Sequence, residues 1–201
     1  HDLLLDESHP LGCHFGGGTI GRHDTVRDWL AGFLQQQGAS DVNTEQFVPA
    51  WDQLKPDGTV EAARLDVCYS DAVTGLRYVD VVISNAASGA ATVKGRSRAT
   101  RDGAAAALAE EKKHARYPGP CLTAFSVEAL GRLGKEAQAL LRAWAAGDVD
   151  VLTSARQSLA VVLQRRNAEA TNSARLPVAG ARRSNGRDDG GQPLHRRARF
   201  H

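Results

Sequence analysis

Apolar side chains recur at helical spacing in the first well-patterned segment of the chain. Between residues 24 and 37 they fall at i, i+3, i+4, i+7 and i+8, and Gly38 follows. This pattern predicts an amphipathic helix that ends at the glycine. Three β-type runs come next, at 42–48, 63–69 and 76–83. The turn-rich stretch between the second and third runs predicts an antiparallel hairpin.

The second half of the chain predicts one more strand and three helices. A loop rich in Gly, Ser and Ala leads to an alanine-rich helix at 104–117, which ends at a proline pair. A strand at 121–128 follows, and 133–168 has helical periodicity with an interruption near Gly147. The order α-β-β-β-α-β-α-α predicts an α/β (α+β) fold with a short mixed sheet flanked by helices.

The amino-acid composition is typical of a globular domain. The 201 residues are 42% hydrophobic and 24% charged, which suits one domain of about 150 to 170 residues with appendages, or two small domains. We find no membrane span, no leader peptide and only three cysteines, so we expect a soluble intracellular protein, nuclear if eukaryotic. The chain starts at His1 and lacks methionine. It is therefore interpreted as a fragment of a longer polyprotein.

Charge is unevenly distributed along the chain. Residues 171–201 hold seven arginines and two aspartates, which gives +5, whereas the remaining residues sum to −3 within the overall net charge of +2. With few apolar residues, this segment predicts a disordered basic tail. Two interpretations stay open: a solvated end or out-of-frame translation, and an electrostatic arm for nucleic acid.

Two acids occupy neighbouring predicted strands. Asp80 interrupts a run that is apolar on both sides, and Asp66 alternates with apolar residues on the preceding strand. Burying an unpaired carboxylate is costly, so a strand that carries one should end at a cleft or provide a partner. If the strands pair, both acids meet at one end of the hairpin, where a cation would relieve their repulsion. Oxygen ligands of this kind suit Mg²⁺ or Mn²⁺.

The helix at 104–117 adds a possible positive charge. Glu110, Lys113 and Tyr117 are spaced three and four residues apart and share one helix face. If that face covers the hairpin, Lys113 lies beside the two acids. Two acids, a divalent metal and a lysine form a set that hydrolyses phosphodiester bonds. The alternative is an ordinary helix surface of paired Glu and Lys side chains.

This combination resembles the PD-(D/E)XK restriction-endonuclease-like nucleases. It is similar to the C-terminal endonuclease domain of non-LTR retrotransposon polyproteins over roughly residues 9–145. The matching stretches are Arg22-His23-Asp24, Arg64-Leu65-Asp66, Tyr78-Val79-Asp80-Val81, and the Lys113 to Tyr117 spacing. The resemblance implies a restriction-endonuclease-like core in the order α-β-β-β-α-β-α, followed here by an extra C-terminal helix. It also implies a domain division of 22–146 for the core, 147–170 for that helix and 171–201 for the tail.

The resemblance also implies roles for individual residues. Asp66 and Asp80 would be catalytic metal ligands, and Lys113 would be the catalytic lysine that in this branch lies on the helix. Glu45 on the first strand is a candidate further metal ligand. The candidate nucleic-acid contacts are Arg22, His23, Glu110 and Tyr117; for His23 the alternative is helix capping and packing.

Two residues depart from the family pattern. Leu65 stands where the motif has proline, and Val82 stands where the usual lysine follows the second acid by two residues. Catalysis would therefore depend entirely on the position of Lys113.

The N-terminal segment 1–21 is interpreted as a truncated zinc knuckle or a linker. His9 and Cys13 have the spacing of the second half of a Cys-Cys-His-Cys knuckle, which the resemblance places ahead of the Arg-His segment. Structural Zn²⁺ is expected only if the missing upstream ligands are present. The alternative is that both are incidental loop residues.

The leading expectation is a metal-dependent DNA endonuclease domain of a retrotransposon-derived protein that acts with a reverse transcriptase. Its cofactor would be Mg²⁺ or Mn²⁺ and its partner DNA, with no membrane association and an undefined oligomeric state. One alternative is an inactive nuclease fold that binds nucleic acid. The other is a protein-interaction module in which Asp80 pairs with an arginine such as Arg77 or Arg64.

Overall fold

A computed structural model of the chain describes residues 18–86, 92–93, 96–97 and 101–175. The helices are α1 (Gly18–Gln36), α2 (Ala104–Arg116), α3 (Lys135–Trp144) and α4 (Val149–Arg175), with a 3-10 turn at Pro49–Trp51. The strands are β1 (Ser40–Phe47), β2 (Gln53–Leu54), β3 (Val60–Glu61), β4 (Arg64–Asp71), β5 (Gly75–Ser84), β6 (Thr92–Val93), β7 (Arg96–Ser97) and β8 (Leu122–Glu128). The predicted zinc-knuckle residues His9 and Cys13 lie outside the described residues, as does 176–201 of the predicted tail.

Four strands form the central mixed sheet, in the order β1-β4-β5-β8. The β1–β4 and β4–β5 pairs are antiparallel, and β5–β8 is parallel. The predicted hairpin is confirmed: its turn closes at the Asp71–Gly75 pair, and Asp71 Oδ1 accepts hydrogen bonds from the amides of Val73 and Thr74. The predicted mixed sheet flanked by helices is also confirmed. Two short strand pairs, β2–β3 and β6–β7, lie outside it.

One face of the sheet carries the main core, covered by α1, α3 and α4. Alternate residues of β4, β5 and β8 point into this core, as the period of two in a strand requires. The largest side chains there are fully buried: Val26, Leu30, Leu34, Val67, Val79, Val81, Phe125, Val127, Leu141 and Leu163. Burial of this apolar surface fixes α1 against the sheet.

The opposite face is covered by α2 and by a smaller apolar cluster around Tyr117. The buried side of α2 consists of small alanines and one acid, Glu110. Glu110 Oε1 accepts a hydrogen bond from Ser126 Oγ on β8, at 2.7 Å. Gly134, which precedes α3, lies against the same two side chains. This contact joins α2, β8 and the start of α3.

The two predicted C-terminal helices are present, but α4 is longer than predicted. They are separated by a turn in which Ala146 and Gly147 both have positive φ. Helix α4 continues to Arg175, past the predicted boundary at residue 170. Near its end Asn167 accepts a hydrogen bond from Arg22 at 2.8 Å and donates one to the Ala129 carbonyl at 2.7 Å. These long-range contacts attach the polar C-terminal part of α4 to α1 and to Ala129, which directly follows β8.

No helix among the described ranges has the length and apolar character needed to cross a bilayer.

Substitution of Gly134 tests the junction of α2, β8 and α3. A Cβ atom at this position would overlap Ser126 Oγ and Glu110 Oε1, so Gly134→Ala must displace a buried hydrogen bond. We expect a loss of about 2–4 kcal/mol in the free energy of unfolding, measured by chemical denaturation.

Gly32→Ala is the matched control. Gly32 lies inside α1, and a Cβ there would meet no atom within 4 Å. The control should gain up to about 1 kcal/mol from helix propensity. Equal stability of the two variants would contradict the packing described for Gly134.

Candidate metal-binding active site

The two predicted acids meet where the β4–β5 ladder opens. Backbone pairing runs from Asp71–Gly75 to Val67–Val79, so Asp66 and Asp80 are the next residues in register. The Val81 amide donates to Asp66 Oδ2 at 2.7 Å instead of to a β4 carbonyl. The two carboxyl groups also lie close enough to affect each other's pKa. The strand opening therefore brings both acids together at one site, called the pocket from here on.

Lys113 approaches this pocket from α2. Its Nζ atom lies 2.6 Å from Asp80 Oδ2, and the Asp80 side chain is only 6% exposed against 27% for Lys113. The approach is that of an ion pair and not of a well-directed hydrogen bond. The lysine contacts the acid while part of its side chain stays in water.

His23 approaches from α1, at the end of the same pocket. Its Nε2 atom lies 3.1 Å from Asp66 Oδ2 and 3.2 Å from the Val81 carbonyl oxygen. The other ring nitrogen, Nδ1, lies 3.3 Å from Asp24 Oδ1. Of the two roles left open for His23, contact with the acid site is therefore the one that the geometry supports.

Burial raises the pKa of Asp80 to about 7. The neighbouring Asp66 carboxyl raises this pKa further, and the positive charge of Lys113 offsets part of the increase. Two adjacent carboxyl groups in a low-dielectric pocket do not ionise together without a compensating cation. At a pH near 7, Asp80 is therefore protonated in about half of the molecules, whereas Asp66 is ionised.

Asp66 is the ionised member of the pair. Burial raises the pKa of Asp66, but hydrogen bonds from His23, Asp80 and the Val81 amide, together with the charge of His23, hold it below its usual value. The hydrogen bond to Asp66 in turn raises the pKa of His23 to about 9, against the effect of burial and with help from Asp24. His23 and Asp66 thus form a partly buried ion pair.

The donor set of the pocket fits a hard divalent cation. Asp66, Asp80 and the Val81 carbonyl supply oxygen atoms only, and Asp80 Oδ2 is buried beside the Lys113 ammonium group without a well-directed hydrogen bond. Within the ranges that the structure describes, no group of three or more His, Cys, Asp or Glu side chains forms a metal cage. Mg²⁺ commonly binds through one or two carboxylates and retains water, which matches two acids. Sulfur-rich zinc chemistry does not match them.

Glu45 is engaged by arginines. Flanking pairs in the β1–β4 ladder place Glu45 opposite Asp66, and its φ of 60° lies in the left-handed region. Its carboxylate pairs with Arg27 of α1 and, at 2.8 Å, with Arg64. The carboxylate of Glu45, which the sequence predicted to be a metal ligand, is therefore engaged by two guanidinium groups in the structure.

Three predicted nucleic-acid contacts lie in packed positions. Arg22 is 2% exposed and donates to Asn167, and Glu110 bonds to Ser126. Tyr117 is buried against Trp51, and its hydroxyl accepts a hydrogen bond from Arg116 Nε. In the structure these side chains therefore connect helices and strands to one another.

The backbone of Val81 is the part of the site that residue-type reasoning missed. Its amide and carbonyl contact Asp66 and His23 respectively. The sequence did contain a sign of this role, because Val81 directly follows Asp80, where the strand was expected to end at a cleft or to provide a partner.

No family model matches the chain, and no curated protein matches it. The chemistry assigned to this pocket rests on its own geometry.

Asp80→Asn tests the electrostatics of the acid pair in the presence of EDTA. The folded-state pKa of about 7 lies above the ordinary value of 3.8, so ionisation of Asp80 removes stability as pH rises from about 4 through 7. Asparagine is neutral and avoids this loss. We expect the variant to be more stable than the wild type by about 2 kcal/mol at pH 8, with the difference shrinking towards pH 5. Thermal and chemical unfolding across this pH range provide the measurement.

Asp102→Asn is the control, because the Asp102 side chain is 88% exposed. Its effect should stay within about 0.5 kcal/mol at every pH. A stability difference for Asp80→Asn that does not depend on pH would show that Asp80 does not titrate as described.

Proposed function

We propose that this chain is a metal-dependent endonuclease domain that hydrolyses phosphodiester bonds in DNA. The observation that carries the proposal is the convergence of Asp66, Asp80 and Lys113 in one pocket at the open end of the β4–β5 hairpin. Three separate elements supply these groups: two adjacent strands and the helix that covers them.

The acids and the lysine have different proposed roles because their charges are opposite. Asp66 and Asp80, with the Val81 carbonyl, would hold Mg²⁺ or Mn²⁺; when bound, that ion lowers the pKa of water and neutralises phosphoryl oxygens. Lys113 holds a positive charge at the mouth of the pocket, where it attracts the scissile phosphate. That charge orients the attacking water or stabilises the additional negative charge of pentacoordinate phosphorus.

The wider identity of the domain is part of the same proposal. The four-stranded order β1-β4-β5-β8 between α1 and α2 is compatible with a restriction-endonuclease-like core. The resemblance to non-LTR retrotransposon endonucleases further suggests a retrotransposon-derived protein that acts on DNA beside a reverse transcriptase. The Arg-His-Asp segment supports this, since its histidine contacts Asp66 directly.

The geometry favours this proposal over both alternatives. An interaction module would pair a buried Asp80 with an arginine, but Asp80 pairs with Lys113, whereas Arg64 pairs with Glu45. An inactive nuclease fold would have no lysine within reach of the acids, and Lys113 contacts one of them.

Cleavage of supercoiled plasmid DNA by the full chain, with Mg²⁺ or Mn²⁺, tests the proposal. We expect metal-dependent nicking or cutting that EDTA abolishes. Asp80→Asn and Lys113→Ala should each lower the cleavage rate by about 10²–10³-fold, because each removes a charge that acts on the transition state.

Lys112→Ala is the matched control, since Lys112 neighbours Lys113 on α2 but forms no ion pair with the acids in the described part of the chain. It should retain activity within about threefold of the wild type. Cutting that survives in both site variants would arise from another source. DNA binding without cutting by the wild type would support the inactive binding fold instead.

A further inference from the structure

His23 contacts the oxygens that a metal ion in this pocket would use. Its Nε2 atom faces Asp66 Oδ2 and the Val81 carbonyl oxygen, and both are acceptors. Nδ1 faces the Asp24 carboxylate, also an acceptor. Both ring nitrogens must therefore carry hydrogen, and His23 brings one positive charge to Asp66.

The lone pairs of Asp66 Oδ2 are already occupied. This oxygen accepts one hydrogen bond from the Val81 amide at 2.7 Å and one from His23 at 3.1 Å. A carboxylate oxygen offers about two acceptor positions. Since the amide is fixed by the strand, a cation gains access to this oxygen only if the His23 side chain gives up its contact.

We propose that His23 is an internal substitute for the divalent cation. It holds Asp66 in place in the metal-free protein and leaves Asp66 and the Val81 carbonyl when the ion binds. The inference deepens the proposed function and rests on it.

Asp24 can remain in contact with His23 when the His23 ring leaves Asp66. Asp24 already contacts Nδ1, and its side chain is 42% exposed. Arg27, one turn further along α1, contacts Asp24 at 3.3 Å and orients its carboxylate. After the displacement, His23 keeps Asp24 as its carboxylate partner.

The test measures Mn²⁺ binding by the full chain and by His23→Ala at one fixed pH, by calorimetry and by electron paramagnetic resonance of free Mn²⁺. We expect His23→Ala to bind Mn²⁺ about tenfold more tightly, because the ion no longer displaces a charge-assisted hydrogen bond. His23→Gln, which keeps a neutral donor of similar size, should lie between the two proteins. It also provides a folded variant if His23→Ala is unstable.

His114→Ala is the matched control. It removes the same kind of contact, between His114 Nε2 and Glu136 Oε1 at 2.7 Å, which involves neither Asp66 nor Asp80. Its Mn²⁺ affinity should equal that of the wild type within about twofold.

Imidazole NMR of the wild type supplies a second readout. Titration with diamagnetic Mg²⁺ should shift the ring nitrogen signals of His23 and leave those of His114 in place. A purely structural histidine would show no such selective change.

Each outcome decides between distinct explanations. Weaker Mn²⁺ binding by His23→Ala would identify His23 as a ligand or a support for Asp66 and would overturn the inference. Unchanged affinity would show that the ion uses other oxygens, and would also overturn it while leaving the proposed function intact. No Mn²⁺ binding by any of the proteins would contradict the metal-dependent function itself.

Discussion

Two carboxyl groups buried side by side repel each other, and the surroundings of Asp66 and Asp80 are organised around that repulsion. Each acid has its own compensation. Asp66 receives the Val81 amide and the charged ring of His23, whereas the raised pKa of Asp80 favours its neutral form and Lys113 faces it. The compensating groups come from three different elements, so the acid pair depends on the assembly of the whole domain.

The positions of the two cationic side chains follow from packing on opposite faces of the sheet. His23 belongs to α1, which the main core fixes through Leu30 and Leu34. Lys113 lies one turn after Glu110, whose hydrogen bond to Ser126 attaches α2 to β8. Glu110 thus contributes to the site indirectly, because it determines where the helix presents its lysine.

Local pattern was sufficient for the main helices, the four strands of the central sheet and the acid pair, but not for the short strands or for long-range partners. Alternation along two strands and a short turn place Asp66 opposite Asp80, and helical spacing orients Lys113. The Arg22–Asn167 bond spans 145 residues, and the His23–Asp66 contact spans 43. Such contacts depend on how helices pack, which no local period encodes. The same reason explains the length of α4 and the pairing of Glu45 with two arginines.

Packing also accounts for the position of the lysine on α2. Val82 follows Asp80 by two residues, so both side chains project from the same face of β5. There Val82 lines a cleft with Ala105 and Ala109 of α2. A lysine at this strand position would share that cleft with Lys112 and Lys113, whose positive charges would repel it. From α2, Lys113 delivers the same charge to Asp80 while 27% of its side chain remains in water. The helix position therefore supplies the counter-charge of Asp80.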